Sequence, residues 1–133
     1  MTRWPANYRN LALWTLQGWL AMFFLAAGYA KLTEPMDMLV ILLSWPAHVA
    51  PEMVRALGAA EVLLAGSVLS PLVSRSFGRP LLVLAAMAML VLETAMLVIH
   101  AFYLEWGHVA TNLALVLMTT AVFLQRTRET SAS

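Results

Sequence analysis

Charged residues are rare along this chain, and the gaps between them are long and apolar. Between Arg9 and Lys31 lie 21 residues without a formal charge. Between Arg55 and Arg75 lie 19, interrupted only by Glu61, and between Arg79 and Glu105 lie 25, interrupted only by Glu93. Between Glu105 and Arg126 lie 20 with none. A helix rises about 1.5 Å per residue, so about 20 apolar residues cross the roughly 30 Å hydrocarbon core of a bilayer. The pattern predicts four spans, at 11–32, 52–73, 80–102 and 108–125, with Pro80 in the first turn of the third. The 14 uncharged residues between Asp37 and Glu52 are too few to cross, and Pro46 and Pro51 break them. Met36–Ser44 is therefore read as a short helix at the membrane surface; a plain packing cap over the bundle is the alternative. Short connections between spans favour an antiparallel arrangement. The expected fold is all-α: a single domain over 1–133, an integral membrane four-helix antiparallel bundle with a short interfacial helix between spans one and two.

Composition agrees. Apolar residues make up 62% of the 133, charged residues 11%, and the mean hydropathy is +0.78. Soluble domains carry about 25% charge, so an ordinary cytosolic globule is excluded. Disorder requires low hydrophobicity and is excluded too. A net charge of +1, scattered along the chain, argues against nucleic acid. There is no cysteine, which removes disulfides, thiolate catalysis and Cys-ligated clusters. The first apolar run is too long for the 7–15 residue core of a signal peptide and is read as an uncleaved span. The polar tail Thr127–Ser133 is expected to fray.

Six basic residues, Arg3, Arg9, Arg75, Arg79, Arg126 and Arg128, fall on one side of the predicted spans. The positive-inside rule makes that side cytoplasmic, with both termini inside and the lipid bilayer of a bacterial inner membrane around the bundle. Trp4, Trp14, Trp45, Tyr103 and Trp106 lie near span ends, where interfacial aromatics belong.

Ionisable groups inside a span are costly and face the bundle or water. Their helical phase is coherent here. Ala21, Phe24, Gly28 and Lys31 share one face of span one, and Val54, Gly58, Glu61, Ala65 and Val68 share one of span two. Leu82, Ala86, Met89, Glu93, Met96 and His100 share one of span three, and His108, Asn112, Leu115, Thr119 and Val122 one of span four. Small residues on these faces let helices approach, so the faces should point inward. Lys31, Arg55, Glu61, Glu93, His100 and Asn112 would then line a polar chamber in the outer half of the bundle, two positive groups offsetting two negative. The bland reading stands beside this one. Buried ion pairs often only hold helices in register, and Lys or Arg at span ends snorkel to headgroups. Methionines are more often gap-fillers than ligands. His100, Glu105 and His108 have metal-ligand chemistry but straddle a loop rather than share a helical face, so no metal site is assigned. No phosphate loop or nucleophile elbow is present.

These motifs together resemble the DoxX-like family of small four-span bacterial membrane proteins, over nearly the whole chain. Phe24-Leu25-Ala26-Ala27-Gly28-Tyr29-Ala30-Lys31-Leu32 looks like the family's ending of span one, followed by Thr33-Glu34-Pro35 and Trp45-Pro46. Arg55, Gly58 and Glu61 resemble the Arg-x-x-Gly-x-x-Glu start of its second span, which tends to end near a proline, here Pro71. His100, Glu105 and Asn112 resemble its His…Glu…Asn run, and Arg126 its basic end. Glu93 departs from the pattern, standing where an apolar residue is expected, and the second span ends less glycine-rich than usual. The resemblance implies a four-helix membrane bundle. It also implies an association with quinone-linked sulfur-compound oxidation or membrane oxidoreductase complexes, with more distant relatives acting as assembly factors.

Three functions follow as expectations. The first is an accessory or small-ligand subunit, quinone-like in its ligand, with Lys31, Arg55 and His100 donating and Glu61 accepting; electrons would come from a membrane or soluble oxidoreductase partner, since the chain supplies no redox group of its own. The second is a structural or assembly factor for another membrane protein. The third is a small-molecule transporter acting as a homo-oligomer, since four spans lack the inverted repeats of common carriers. Autonomous catalysis ranks below all three.

Overall fold

The computed structural model describes residues 6–132. Five α-helices follow one another: α1 (Ala6–Thr33), α2 (Met36–Leu43), α3 (Pro51–Val68), α4 (Arg75–Phe102) and α5 (Trp106–Ser131). Single 3-10 turns, Trp45–His48 and Ser70–Leu72, flank α3. Four of the helices are long and apolar enough to cross a membrane. They close a ring in which α1 packs on α3 and α5, and α4 packs on α3 and α5. The end that gathers the start of α1, the end of α5 and the α3–α4 turn is here the terminal end; the other, with α2 and the α4–α5 connection, is the loop end.

Lipid tails are as apolar as leucine, so close packing and polar contacts, more than hydrophobic burial, hold such a bundle together. All the residues on the predicted faces of spans one and two are buried, from Ala21 to Lys31 and from Val54 to Val68. The core along the bundle axis joins Leu20, Phe24, Val68, Met89, Leu115 and Val122. Leu63, Val91, Val98 and Leu117 stand outward, as a lipid-facing surface requires. At the loop end, Leu39 of α2, Trp45 and Val54 form a second cluster, with Met96 and Ile99 of α4 packed on it. Thus α2 caps the bundle with Leu39, while Met38, Ile41 and Leu42 remain exposed.

Glycine matters where backbones meet. A Cβ on Gly78 would lie 2.5 Å from the Pro71 nitrogen, so the first turn of α4 rests directly on the Ser70–Leu72 turn.

α1, α4 and α5 outrun the predicted spans. α1 starts at Ala6 and α5 continues to Ser131, because charge gaps measure hydrocarbon thickness rather than helix length. The tail does not fray where expected: Glu129 bonds Arg126 at 2.8 Å and Thr130 Oγ1 donates to the Arg126 carbonyl at 3.0 Å. α4 begins at Arg75, capped by Ser74, whose Oγ accepts from the Phe77 amide at 3.5 Å. Pro80 therefore sits inside the helix instead of opening it. The carbonyl it leaves without a partner, that of exposed Ser76, lies near the terminal end, where water is available. α3 itself ends at Val68, and the Ser70–Leu72 turn at Pro71 carries the apolar run to Leu72, one residue from the predicted boundary. Trp45 is buried under α2 and Trp14 is half-buried, so neither is a free interfacial aromatic. Arg3 and Trp4 lie outside the described residues.

Candidate functional site

Among the described residues, the polar side chains inside the bundle fall into four groups, running from the loop end inward. The first joins the connection between α4 and α5 to the chain after α2. His100, on the last turns of α4, is buried, and its Nδ1 lies 2.5 Å from Glu105 Oε2. His108, on the first turn of α5, stacks on His100 with ring centroids 4.6 Å apart. Tyr103 stacks on His48 at 4.8 Å, tying the same connection to the turn after α2. The hydrogen bond from His100, then one from Ser44, hold the Glu105 carboxyl below its ordinary range. With that carboxylate ionised, His100 Nδ1 is the donor. The backbone is left-handed at both ends of this junction, φ 63° at Ser44 and 58° at Leu104.

The second group is the crossing of α1 and α3. Lys31 Nζ donates to both carboxylate oxygens of Glu61 at 2.8 Å, and both side chains are buried. Arg55 does a different job. The last carbonyls of a helix have no partner within it. Arg55 donates Nη1 to the Lys31 carbonyl and Nη2 to the Glu34 carbonyl at 2.8 Å, and so caps α1 with a positive charge where the helix dipole is negative. Gly28 and Gly58 make the approach possible: a Cβ on Gly28 would meet the Gly58 carbonyl oxygen at 2.6 Å, and one on Gly58 would meet Lys31 Cβ at 2.7 Å.

The third group is Glu93 and Thr119. Glu93 is 2% exposed; its Oε1 accepts from Thr119 Oγ1 at 2.8 Å, and Oε2 is buried without a partner among the described residues. The fourth lies at the terminal end. Gln17 Nε2 donates to the Val68 carbonyl at 3.2 Å, and Gln17 Oε1 accepts from Arg126 Nε at 2.8 Å. Arg126 Nη1 reaches Asn10 at 2.9 Å and Glu129 at 2.8 Å, and its guanidinium carbon lies 5.4 Å from the centre of the Trp14 ring.

Of the six residues singled out from sequence, Lys31, Arg55 and Glu61 come together in one joint, and His100 joins Glu105 and His108. Two pairings differ from expectation. Lys31 and Arg55 do not offset both acids: Lys31 is spent on Glu61 and Arg55 on carbonyls, while Glu93 meets only a hydroxyl. Asn112 is half-buried and turns back on its own helix, Nδ2 donating to the His108 carbonyl at 2.9 Å. The groups thus pair among themselves rather than lining one open chamber. Among the described residues, no group of three or more His, Asp or Glu is arranged to hold a metal ion.

Sequence reasoning did not find the Gln17–Arg126 network. The signal was present: Gln17 is the next position, four before Ala21, on the inward face of span one, and Arg126 is four beyond Val122 on that of span four.

The joint of α1 and α3 unites the two sequence motifs noted above, Gly28-x-x-Lys31 and Arg55-x-x-Gly58-x-x-Glu61, in one physical contact. A family model, described as the DoxX-like family, matches residues 15–122. The chain belongs to the DoxX-like family. None of the curated proteins and none of the solved structures matches it. The matched range holds the first three groups whole. From the fourth it includes Gln17 and Val68 and excludes Asn10, Trp14, Arg126 and Glu129. This DoxX-like chain is a multi-pass membrane protein.

Proposed function

We propose that this DoxX-like protein is an accessory subunit of a membrane redox complex, binding a small polar ligand of the quinone-headgroup type at its loop end. The observation that carries the reading is the buried His100 ring, held by Glu105 at 2.5 Å and stacked on His108 at 4.6 Å. An imidazole whose Nδ1 is fixed by a carboxylate presents its Nε2 in a set orientation, able to donate to a carbonyl or accept from a hydroxyl. A quinone supplies two such oxygens and takes up protons when reduced. Exposed Phe102, Leu104 and Trp106 around this junction give an apolar approach from the membrane. Lys31, Arg55 and Glu61, already satisfied by one another and by backbone, position the junction rather than touch the ligand. Electrons come from a partner oxidoreductase, since this chain supplies only binding and proton-handling groups.

The orientation belongs to the same reading. Arg9, Arg75, Arg79, Arg126 and Arg128 favour a cytoplasmic terminal end in a bacterial inner membrane. A reporter fused after Arg128 should then be active only as a cytoplasmic fusion.

The saturated Lys31–Glu61–Arg55 joint supports a second reading, a structural or assembly subunit without a ligand. One experiment separates them. The full chain in lipid nanodiscs is titrated with a short-chain benzoquinone analogue and followed by tryptophan fluorescence. The redox reading expects saturable binding, weakened about tenfold or more in His100→Gln, because a lost hydrogen bond to a fixed group is worth on that order. Absence of saturable binding, or equal binding by His100→Gln, leaves the structural reading.

A further inference from the structure

A cavity of about 590 Å³ lies at the terminal end, between α1, the Ser70–Leu72 turn, α4 and α5. Four arginines line it, Arg9 from α1, Arg75 and Arg79 from α4, and Arg126 from α5. Among the described residues its only acid is Glu129, which already bonds Arg126. A shallower depression of about 380 Å³ continues from it past Arg75, Arg79 and Pro80.

The ordinary explanation for basic residues here is that they sit at headgroup level and fix topology. It covers Arg9, Arg75 and Arg79, which are exposed and make no hydrogen bond or ion pair with the described residues. It does not cover Arg126. That guanidinium is about nine-tenths buried and held by Gln17, Asn10 and Glu129 with Trp14 beneath it. Even so, its Nη2 is buried without a hydrogen-bond partner among the described residues. An unsatisfied donor on a buried charge is costly, and Arg126 lines the cavity, so an anion with several acceptor oxygens seated there offsets the cost of that charge. Guanidinium groups match phosphate oxygens two at a time, and basic pockets between membrane helices suit phosphorylated headgroups.

We propose that this cavity binds a phosphate-bearing anion, either the headgroup of an anionic lipid or free phosphate. Arg126 is the fixed anchor. Arg9, Arg75 and Arg79 close on the remaining oxygens, and the depression beside Pro80 leads a lipid's glycerol toward the outside of α4. The site is at the opposite end of the bundle from His100 and stands or falls independently of the redox reading.

The test uses the full chain in a non-ionic detergent, with thermal unfolding followed as phosphatidylglycerol, phosphatidylcholine or inorganic phosphate is added. Arg75→Gln/Arg79→Gln removes two exposed arginines and leaves the Gln17–Arg126 network intact. Arg126→Gln alone would also remove a bundle contact, so it is secondary. The expected result is a saturable rise in unfolding temperature whose half-point moves about tenfold or more upward in the double variant. A rise with phosphatidylglycerol but not with phosphate identifies a lipid; a rise with phosphate as well identifies the free anion. Equal responses to phosphatidylglycerol and zwitterionic phosphatidylcholine with no response to phosphate overturn the proposal. So does an unchanged half-point in the double variant, or no saturable response to any of the three.

Discussion

The carbonyl oxygen of Gly58 occupies the place where a side chain on Gly28 would begin, 2.6 Å from an ideal Cβ there. The contact is reciprocal, since a Cβ on Gly58 would lie 2.9 Å from the Gly28 carbonyl. Two backbones this close leave no flexible group to yield, and the lysine and the acid that follow each glycine on the same face are brought into register by it. The crossing therefore sets the height and rotation of α1 against α3, on which the Lys31–Glu61 bond and the Arg55 cap both depend.

Gly28→Ala and Gly58→Ala should each destabilise the protein by about 1–3 kcal/mol, the usual cost of forcing extra volume into a packed contact. Gly18 and Gly66 are internal controls, because a Cβ at either meets nothing within 4 Å. Gly18→Ala and Gly66→Ala should stay within about 1 kcal/mol of the parent, with any gain coming from helix propensity. Chemical unfolding in mixed micelles ranks the four. If Gly28→Ala proves as stable as Gly66→Ala, the crossing is looser than described.

Much of this was readable in advance, for a physical reason. A face that must approach another helix carries small residues, and a polar group in lipid must turn inward, so both signals mark the same side of each helix. That is why the spacing alone marks the Val54–Gly58–Glu61–Ala65–Val68 face, all of it buried in the structure. Pairing was not readable to the same degree. Whether Lys31 or Arg55 meets Glu61 depends on helix height to within one turn, and Arg55 turned to the carbonyls ending α1. Arg126 was hidden differently: a basic residue at a span end reads as a topology signal, although its side chain folds back to Gln17. Gln17 carries no charge and so leaves no mark in a pattern of charge gaps.

The Lys31–Glu61 pair should show strong coupling in a double-mutant cycle. Glu61→Ala strands a buried ammonium and Lys31→Ala a buried carboxylate, and breaking such a pair costs about 3–5 kcal/mol. Lys31→Met/Glu61→Leu removes both charges at similar volume and should recover most of that loss, since apolar replacements of buried pairs are often neutral or better. Glu61→Gln, which keeps shape and hydrogen bonding, should fold better than Glu61→Ala. The same double variant should still bind the benzoquinone analogue if the pair only positions the loop end. A double variant as unstable as either single one would mean that the charges serve something beyond each other.

Stability at the loop end should depend on pH. The Glu105 carboxyl lies below its ordinary value of 4.5, held there first by His100 and then by Ser44. The groups facing it are His100 on α4, His108 on α5 and the Ser44 hydroxyl after α2, so its charge links three parts of the chain. A carboxyl whose value is lowered by folding contributes stability that is fully present above the unfolded value. That contribution is lost as pH falls through the folded one, so the window lies below about pH 4.5. The effect is modest, because Glu105 is partly open to solvent and screened. Unfolding temperature measured from pH 6 down to pH 3 should therefore fall more steeply in the parent than in Glu105→Gln, whose side chain does not titrate. The comparison cancels every other acid in the chain, Glu61 and Glu93 included, because both proteins carry them. Above pH 6 the parent should be the more stable of the two, since the His100 hydrogen bond then meets a full negative charge. Parallel curves over the whole range would show that the 2.5 Å contact does not link the α4–α5 connection to the rest of the loop end.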